Sequence, residues 1–151
     1  MFITPGPNNA MLTISGLKFG FKRSLPHITG ISLGHALQVS LICTGLGLIL
    51  INKPEFQMIL KWLCFFYLIY LAYRMIGSLK DYKKDTGRPL NIYEAALFQW
   101  INPKGVVMAV SGLTAFNITN NQGALIYFLV LPFCVGIWLI LGEQLQHSLE
   151  K

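Results

Sequence analysis

The sequence predicts an all-α, polytopic transmembrane helical bundle, and three observations carry that expectation. Hydrophobic residues make up 54% of the 151-residue chain and charged residues 12%, where soluble domains usually have about 25% charged. The apolar residues fall in long blocks. Ser24 to Asn52 holds no Lys, Arg, Asp or Glu, and Ala95 to Gly142 holds only Lys104. Two stretches, Thr4-Pro5-Gly6-Pro7-Asn8-Asn9 and Asn102-Pro103-Lys104, place prolines where a helix would otherwise continue. A proline removes one N–H and clashes with the carbonyl four residues back, here that of Gln99 for Pro103.

The length allows one domain, residues 1–151. The net charge is +6 and the mean hydropathy +0.54. The basic residues gather in short segments between apolar blocks, as cytoplasmic loops do, so nucleic-acid binding is not expected. The three cysteines, Cys43, Cys64 and Cys134, lie within apolar blocks without CxxC or Cys/His spacing. They read as buried hydrophobes, and no disulfide, metal or cofactor is expected. Asn117-Ile118-Thr119 matches a glycosylation pattern too common to carry weight. No cleavable signal peptide is visible, because the basic residues follow the first apolar stretch.

The first element, about residues 1–18, is a partial span. Proline sits well in a helix's first turn, so a helix starts at about Pro7 and runs towards Lys18. That is roughly 18 Å, half a bilayer. Lys18, Lys22 and Arg23 form a basic loop. The second span is placed at 27–51; Gly30 and Gly34 form a small-xxx-small pair that permits close helix contact. Asn52-Lys53-Pro54 is a turn. The third span, 56–79, requires Lys61 and Arg74 to snorkel outward, and its Tyr67, Tyr70 and Tyr73 are packing residues at helical spacing. A charged cytoplasmic linker, 80–92, follows. The fourth span, 93–117, is broken at Pro103, and the fifth is 123–142. With alternating spans, Lys18, Lys22, Arg23, Arg74, Lys80, Lys83, Lys84, Arg88 and Lys151 share one side, which the positive-inside rule makes cytoplasmic. Each half of the chain is a broken helix, a polar turn and a glycine-bearing span. This pattern predicts an incomplete 3+3 inverted repeat with two broken helices, a transporter plan whose site lies at the midplane. By that pairing the chain is expected to be shortened at both ends.

Lys104 lies roughly 16 Å into its helix, near the bilayer centre, where a lone cation is costly and asks for a function. Asn102 can cap the half-helix that begins at Pro103. Two helix N-termini then aim free N–H groups and positive dipole ends at one spot, with the Lys104 charge added. Such a site suits a carboxylate. Asn8, Asn9, Gln99 and Asn102 can bond both a carboxylate and an ammonium, so a zwitterionic amino acid is the expected occupant. The bland alternatives are a plain kink at Pro103, a loop at Pro5-Gly6-Pro7, interhelical bonding for His35 and Gln38, and a solvated interface position for Glu94.

These stretches resemble the LysE/RhtB amino-acid exporter family. Thr4-Pro5-Gly6-Pro7-Asn8-Asn9 with Gly16, Gly20, Gly30 and Gly34 is similar to its N-terminal signature. Leu60-Lys61-Trp62-Leu63 with Tyr67-Leu68-Ile69-Tyr70-Leu71 resembles its third span, and Phe98 through Lys104 its Asn-Pro-Lys motif. Cys64-Phe65-Phe66 stands where the family usually has small residues. The resemblance implies a six-span inner-membrane protein that exports amino acids coupled to the proton gradient. It implies that Pro5, Gly6, Pro7 and Asn8 form one site element and Asn102, Pro103 and Lys104 the other. The expected substrate-binding set is therefore Pro5, Gly6, Pro7, Asn8, Asn9, Gln99, Asn102, Pro103 and Lys104. The expected function is a secondary transporter in the inner (plasma) membrane. The alternative is an inactive remnant or accessory membrane subunit. An enzyme is not expected: the spans hold no His/Cys metal cluster and no paired acids. The expected partners are a neutral amino acid, favoured because the second span and the Ala95–Gly142 stretch carry no acid, membrane lipid, and further copies of the chain as a homo-oligomer.

Overall fold

The computed structural model describes residues 2–46, 52–80, 87–115 and 121–149. It forms α1 (Pro7–Arg23), α2 (Leu25–Leu41) ending in a π-helical turn at Ile42–Leu46, and α3 (Pro54–Lys80). α4 (Ile92–Ile101), α5 (Pro103–Ala115) and α6 (Asn121–Leu149) follow. No strand occurs among the described residues, and the all-α bundle holds. Residues 47–51 of the expected second span, 116–117 of the fourth and 81–86 of the linker lie outside the described residues.

α1 begins at Pro7, after an extended Gly6 with φ −179°. The helix continues beyond Lys18 to Arg23, but Gly20 (φ 74°, ψ 174°) interrupts it. Glycine takes that conformation without steric penalty, so the regular part of α1 stops close to Lys18. The break releases the N–H of Phe21, which donates to Glu143 Oε1 of α6 at 2.9 Å. The break between α4 and α5 is equally local. Asn102 is extended (φ −78°, ψ 107°), and Pro103 restarts the helix.

α1 packs along α6, and α2 lies between α4 and α6. Small residues set both approaches. A Cβ at Gly34 would lie 2.5 Å from Ala96 Cα, and Gly30 sits against the backbone carbonyl of Ile92. Gly16 faces the Leu139 carbonyl and Gly142 the Thr13 carbonyl. These contacts bear out the packing role read for Gly30 and Gly34 and extend it to α1 and α6. Leu12, Ile28, Ile31, Ala95, Leu131, Val135 and Leu139 fill the apolar core between the four helices.

Burial has the polarity of a protein in lipid. Asn9, His27, His35, Gln38, Gln99 and Asn102 are buried, whereas Leu37, Phe66, Leu125, Leu129 and Phe133 are exposed. In hydrocarbon, apolar side chains gain little by turning inward, and polar ones must find partners inside. Leu25–Gly45 and Gly123–Leu149, with mean hydropathies of 1.2 and 2.6, are each long and apolar enough to cross a membrane. α3 stands most apart. It touches the bundle through buried Cys64 and the Tyr67 ring, 5.3 Å from that of Phe98, and turns Phe56, Trp62, Phe66 and Tyr73 outward.

Candidate functional site

The site starts from a missing hydrogen. Pro103 has no N–H, so the carbonyl of Gln99 has no helical donor. The Gln38 amide of α2 supplies one, with Nε2 donating to Gln99 O at 2.8 Å. Asn102 ends α4 by donating its N–H to Phe98 O and starts α5 by accepting the Lys104 N–H on Oδ1 at 3.1 Å. The capping role read from the sequence is therefore present.

The cap directs the Lys104 side chain towards the segment ahead of α1. Its ammonium donates to Thr4 O at 2.5 Å, Thr4 Oγ1 at 2.8 Å and Pro5 O at 3.3 Å. Gly6 makes the approach possible: a Cβ there would lie 2.8 Å from Lys104 Cδ. Asn9 holds the same segment from within α1, donating to Phe2 O and Thr4 O. Asn8 and Gln99 join side chain to side chain, at 2.8 Å from Asn8 Nδ2 to Gln99 Oε1 and 3.3 Å in return. The two breaks, far apart in sequence, thus face each other.

Between them lies a cavity of about 20 Å³, lined by Gly6, Asn8, Asn9, Gln99, Asn102 and Lys104 among others. That volume holds about one water molecule. No carboxylate lines it among the described residues. Of the nine residues expected at the site, Pro5 contributes its carbonyl to Lys104, while Pro7 and Pro103 shape the backbone and do not line the cavity. The cavity also takes in Phe2, His35, Met108, Leu131 and Val135. The sequence reading assigned His35 to helix contacts; its spacing to Gln38, one helical turn on, is the signal that joins it to the site. His35 Nδ1 lies 3.0 Å from Gln38 Oε1, and the ring meets Phe2 and Tyr127 edge-on at 5.7 and 5.3 Å.

On the other side of α4, a cleft of about 650 Å³ opens between α1, α2, α3 and α4, with Lys18, His27, Tyr67, Arg88, Glu94 and Phe98 in its walls. Glu94, expected to be a solvated interface residue, is part-exposed and also accepts both guanidinium N–H groups of Arg88, at 2.6 and 2.7 Å. It also completes a capping box with Asn91. Its carboxylate raises the pKa of the exposed Arg88 further. No group of three or more metal-ligating side chains occurs among the described residues.

Comparison with known proteins shows the family. The model of a family described as LysE type translocator matches residues 1–146. A cysteine/O-acetylserine efflux protein of Salmonella paratyphi A is 25% identical over 97% of this chain and 78% of its own length. The protein of the same description in Escherichia coli K12 is 27% identical over 93% of this chain and 68% of its own. No solved structure matches the chain.

Proposed function

The chain belongs to the LysE type translocator family and is an amino-acid efflux transporter of the membrane, and from that premise we propose that it is a secondary transporter exporting small neutral amino acids across the inner membrane through the Lys104 cavity. One observation carries the site: the first turns of two helices, α1 and α5, and a lysine ammonium converge on one cavity that no carboxylate of the described residues lines. Helix N-termini and an ammonium stabilise an anion. The amide groups of Asn8, Asn9, Gln99 and Asn102 surround it. The absence of an acid among the lining residues disfavours a cationic side chain on the substrate. The relatives named as cysteine/O-acetylserine efflux proteins point the same way.

A cavity of about 20 Å³ is smaller than any amino acid. Binding therefore requires the Thr4–Pro5 segment and α5 to part. Lys104 then exchanges two backbone carbonyls and a hydroxyl for the substrate carboxylate, which keeps its ammonium hydrogen-bonded throughout. Such an exchange between two satisfied states lowers the cost of opening, as alternating access at a midplane site requires. The cleft on the opposite face of α4 lies on the Lys18 and Arg88 side, which the charge distribution makes cytoplasmic, and is the entrance from which substrate would approach. The outward apolar faces of α3 and α6 contact lipid. A remnant or accessory subunit is not favoured, because the family match runs over nearly the whole chain.

The test is export by cells expressing the chain, loaded with amino acids from dipeptides, with the extracellular pool followed over time beside cells carrying Lys104→Met. Export of neutral amino acids that the substitution removes supports the proposal. Export insensitive to it overturns the site, and no export from membrane-inserted chain overturns the function.

A further inference from the structure

We propose that His35 Nε2 is the acceptor for the substrate's ammonium group; this rests on the reading of the Lys104 cavity as an amino-acid site. The proposal follows from a chain of hydrogen bonds that begins at Pro103. Because Pro103 cannot donate, Gln99 O is free, and the group of Gln38 that faces it at 2.8 Å must be the NH₂. A carbonyl oxygen there would meet another carbonyl oxygen. The orientation of the Gln38 amide is thereby fixed, and its Oε1 is the atom 3.0 Å from His35 Nδ1. An amide oxygen only accepts, so Nδ1 carries the ring hydrogen.

Lys104 already places one positive charge at the cavity and no carboxylate of the described residues lines it, so the imidazole is neutral. In a neutral ring protonated on Nδ1, Nε2 is a bare lone pair. It is buried, and it has no hydrogen-bond partner among the described residues. An unpaired buried acceptor carries a free-energy penalty, and such groups in native structures call for an explanation. The other amides around the cavity are engaged: Asn8 and Gln99 with each other, Asn9 with Phe2 and Thr4, Asn102 with Lys104. His35 lines the same cavity as Lys104. A ligand with a carboxylate for the ammonium of Lys104 and an ammonium for Nε2 satisfies both, which is the backbone pattern of any amino acid and independent of its side chain. The site then reads the zwitterion with two side chains from α2 and α5, and leaves side-chain selection to the apolar Met108, Leu131 and Val135.

Two substitutions separate the ring nitrogens. In His35→Asn the amide keeps a donor at the Nδ1 position, facing Gln38, and loses the ε position. In His35→Gln the longer side chain returns an acceptor near the Nε2 position. The full chain, purified in lipid nanodiscs, is titrated with L-serine and L-cysteine and with their ammonium-free counterparts, 3-hydroxypropionate and 3-mercaptopropionate. The expected result is that His35→Asn weakens amino-acid binding about tenfold or more, the loss of one hydrogen bond from a charged donor, and leaves the ammonium-free acids unchanged. His35→Gln recovers part of the loss, and Lys104→Met weakens amino acids and acids together. The ratio of the two affinities is read within one preparation, so a partly unfolded sample does not imitate it. Equal weakening of both ligand classes in His35→Asn, or weakening of neither, overturns the role of Nε2 while the cavity as a site stands. Wild-type chain that binds none of the four ligands overturns the amino-acid site and this inference with it.

Discussion

Replacing Lys104 by Met tests the centre of the mechanism with the least disturbance. Met has nearly the shape of the lysine stem and no charge. In the structure the ammonium meets Thr4 O, Thr4 Oγ1 and Pro5 O. Thr4 and Pro5 are themselves exposed, so water takes over their oxygens and the fold is expected to persist. The loss falls on the substrate carboxylate, which forfeits at least one hydrogen bond to a charged partner, about 1.5–3 kcal/mol. At 1.4 kcal/mol per decade this is a 10- to 150-fold fall in apparent affinity for the transported amino acid, on the order of what a single ion contact supplies. The assay is the initial rate of amino-acid export from dipeptide-loaded cells over a range of internal concentrations, normalised to the amount of chain in the membrane fraction. Export within about threefold of wild type, at equal membrane level, would refute the reasoning, because no charged contact worth 1.5 kcal/mol can then exist in transport.

Gln38→Leu should leave Gln99 O without a donor and release the His35 ring. A fall of about 1–3 kcal/mol in stability is expected, read as a lower melting temperature in detergent; an unchanged melting temperature would count against the hydrogen-bond chain behind Pro103. Gly142→Ala places a Cβ against the Thr13 carbonyl and 3.0 Å from Leu17 N. Because that neighbour is backbone, α1 and α6 must separate, at a cost of about 1–3 kcal/mol; wild-type stability in the same melt would show that the helices are not held at this distance. At the start of α4, Asn91→Ala removes a capping box, about 1 kcal/mol, whereas Arg88→Ala removes an ion pair whose partners are 60% and 41% exposed and should change the melting temperature less. The reverse order would mean that the pair, not the cap, holds the start of α4.

Much of this molecule was readable from composition and proline placement. A chain this poor in charge has to put its apolar surface somewhere, and lipid is the solvent that accepts it on the outside. Pro7 at the head of α1 and Pro103 at the head of α5 act through their own backbone geometry, which depends on neighbours in sequence. The helix starts and the break at Asn102 were therefore legible before any tertiary contact was known. The convergence of the two breaks was also foreseeable in outline, because a lone lysine in a long apolar stretch calls for partners.

Tertiary structure decided what pairs with what. The sequence has amides on both breaks but no means of showing that Asn8 meets Gln99 while Asn9 turns back on its own segment. It did not reveal that Lys104 is held by Thr4 and Pro5, or that Glu143 of α6 receives the N–H that Gly20 sets free. His35 is the clearest case. One turn from Gln38 it is an ordinary polar pair on a helix, and only the contact of Gln38 with the carbonyl that Pro103 leaves unbonded fixes which ring nitrogen is bare. Sequence by itself determined the medium, the helix starts and the charge at the centre, because these follow from local covalent geometry and transfer free energy. The partners of the buried polar groups depend on contacts between distant helices, and only the packed structure could assign them.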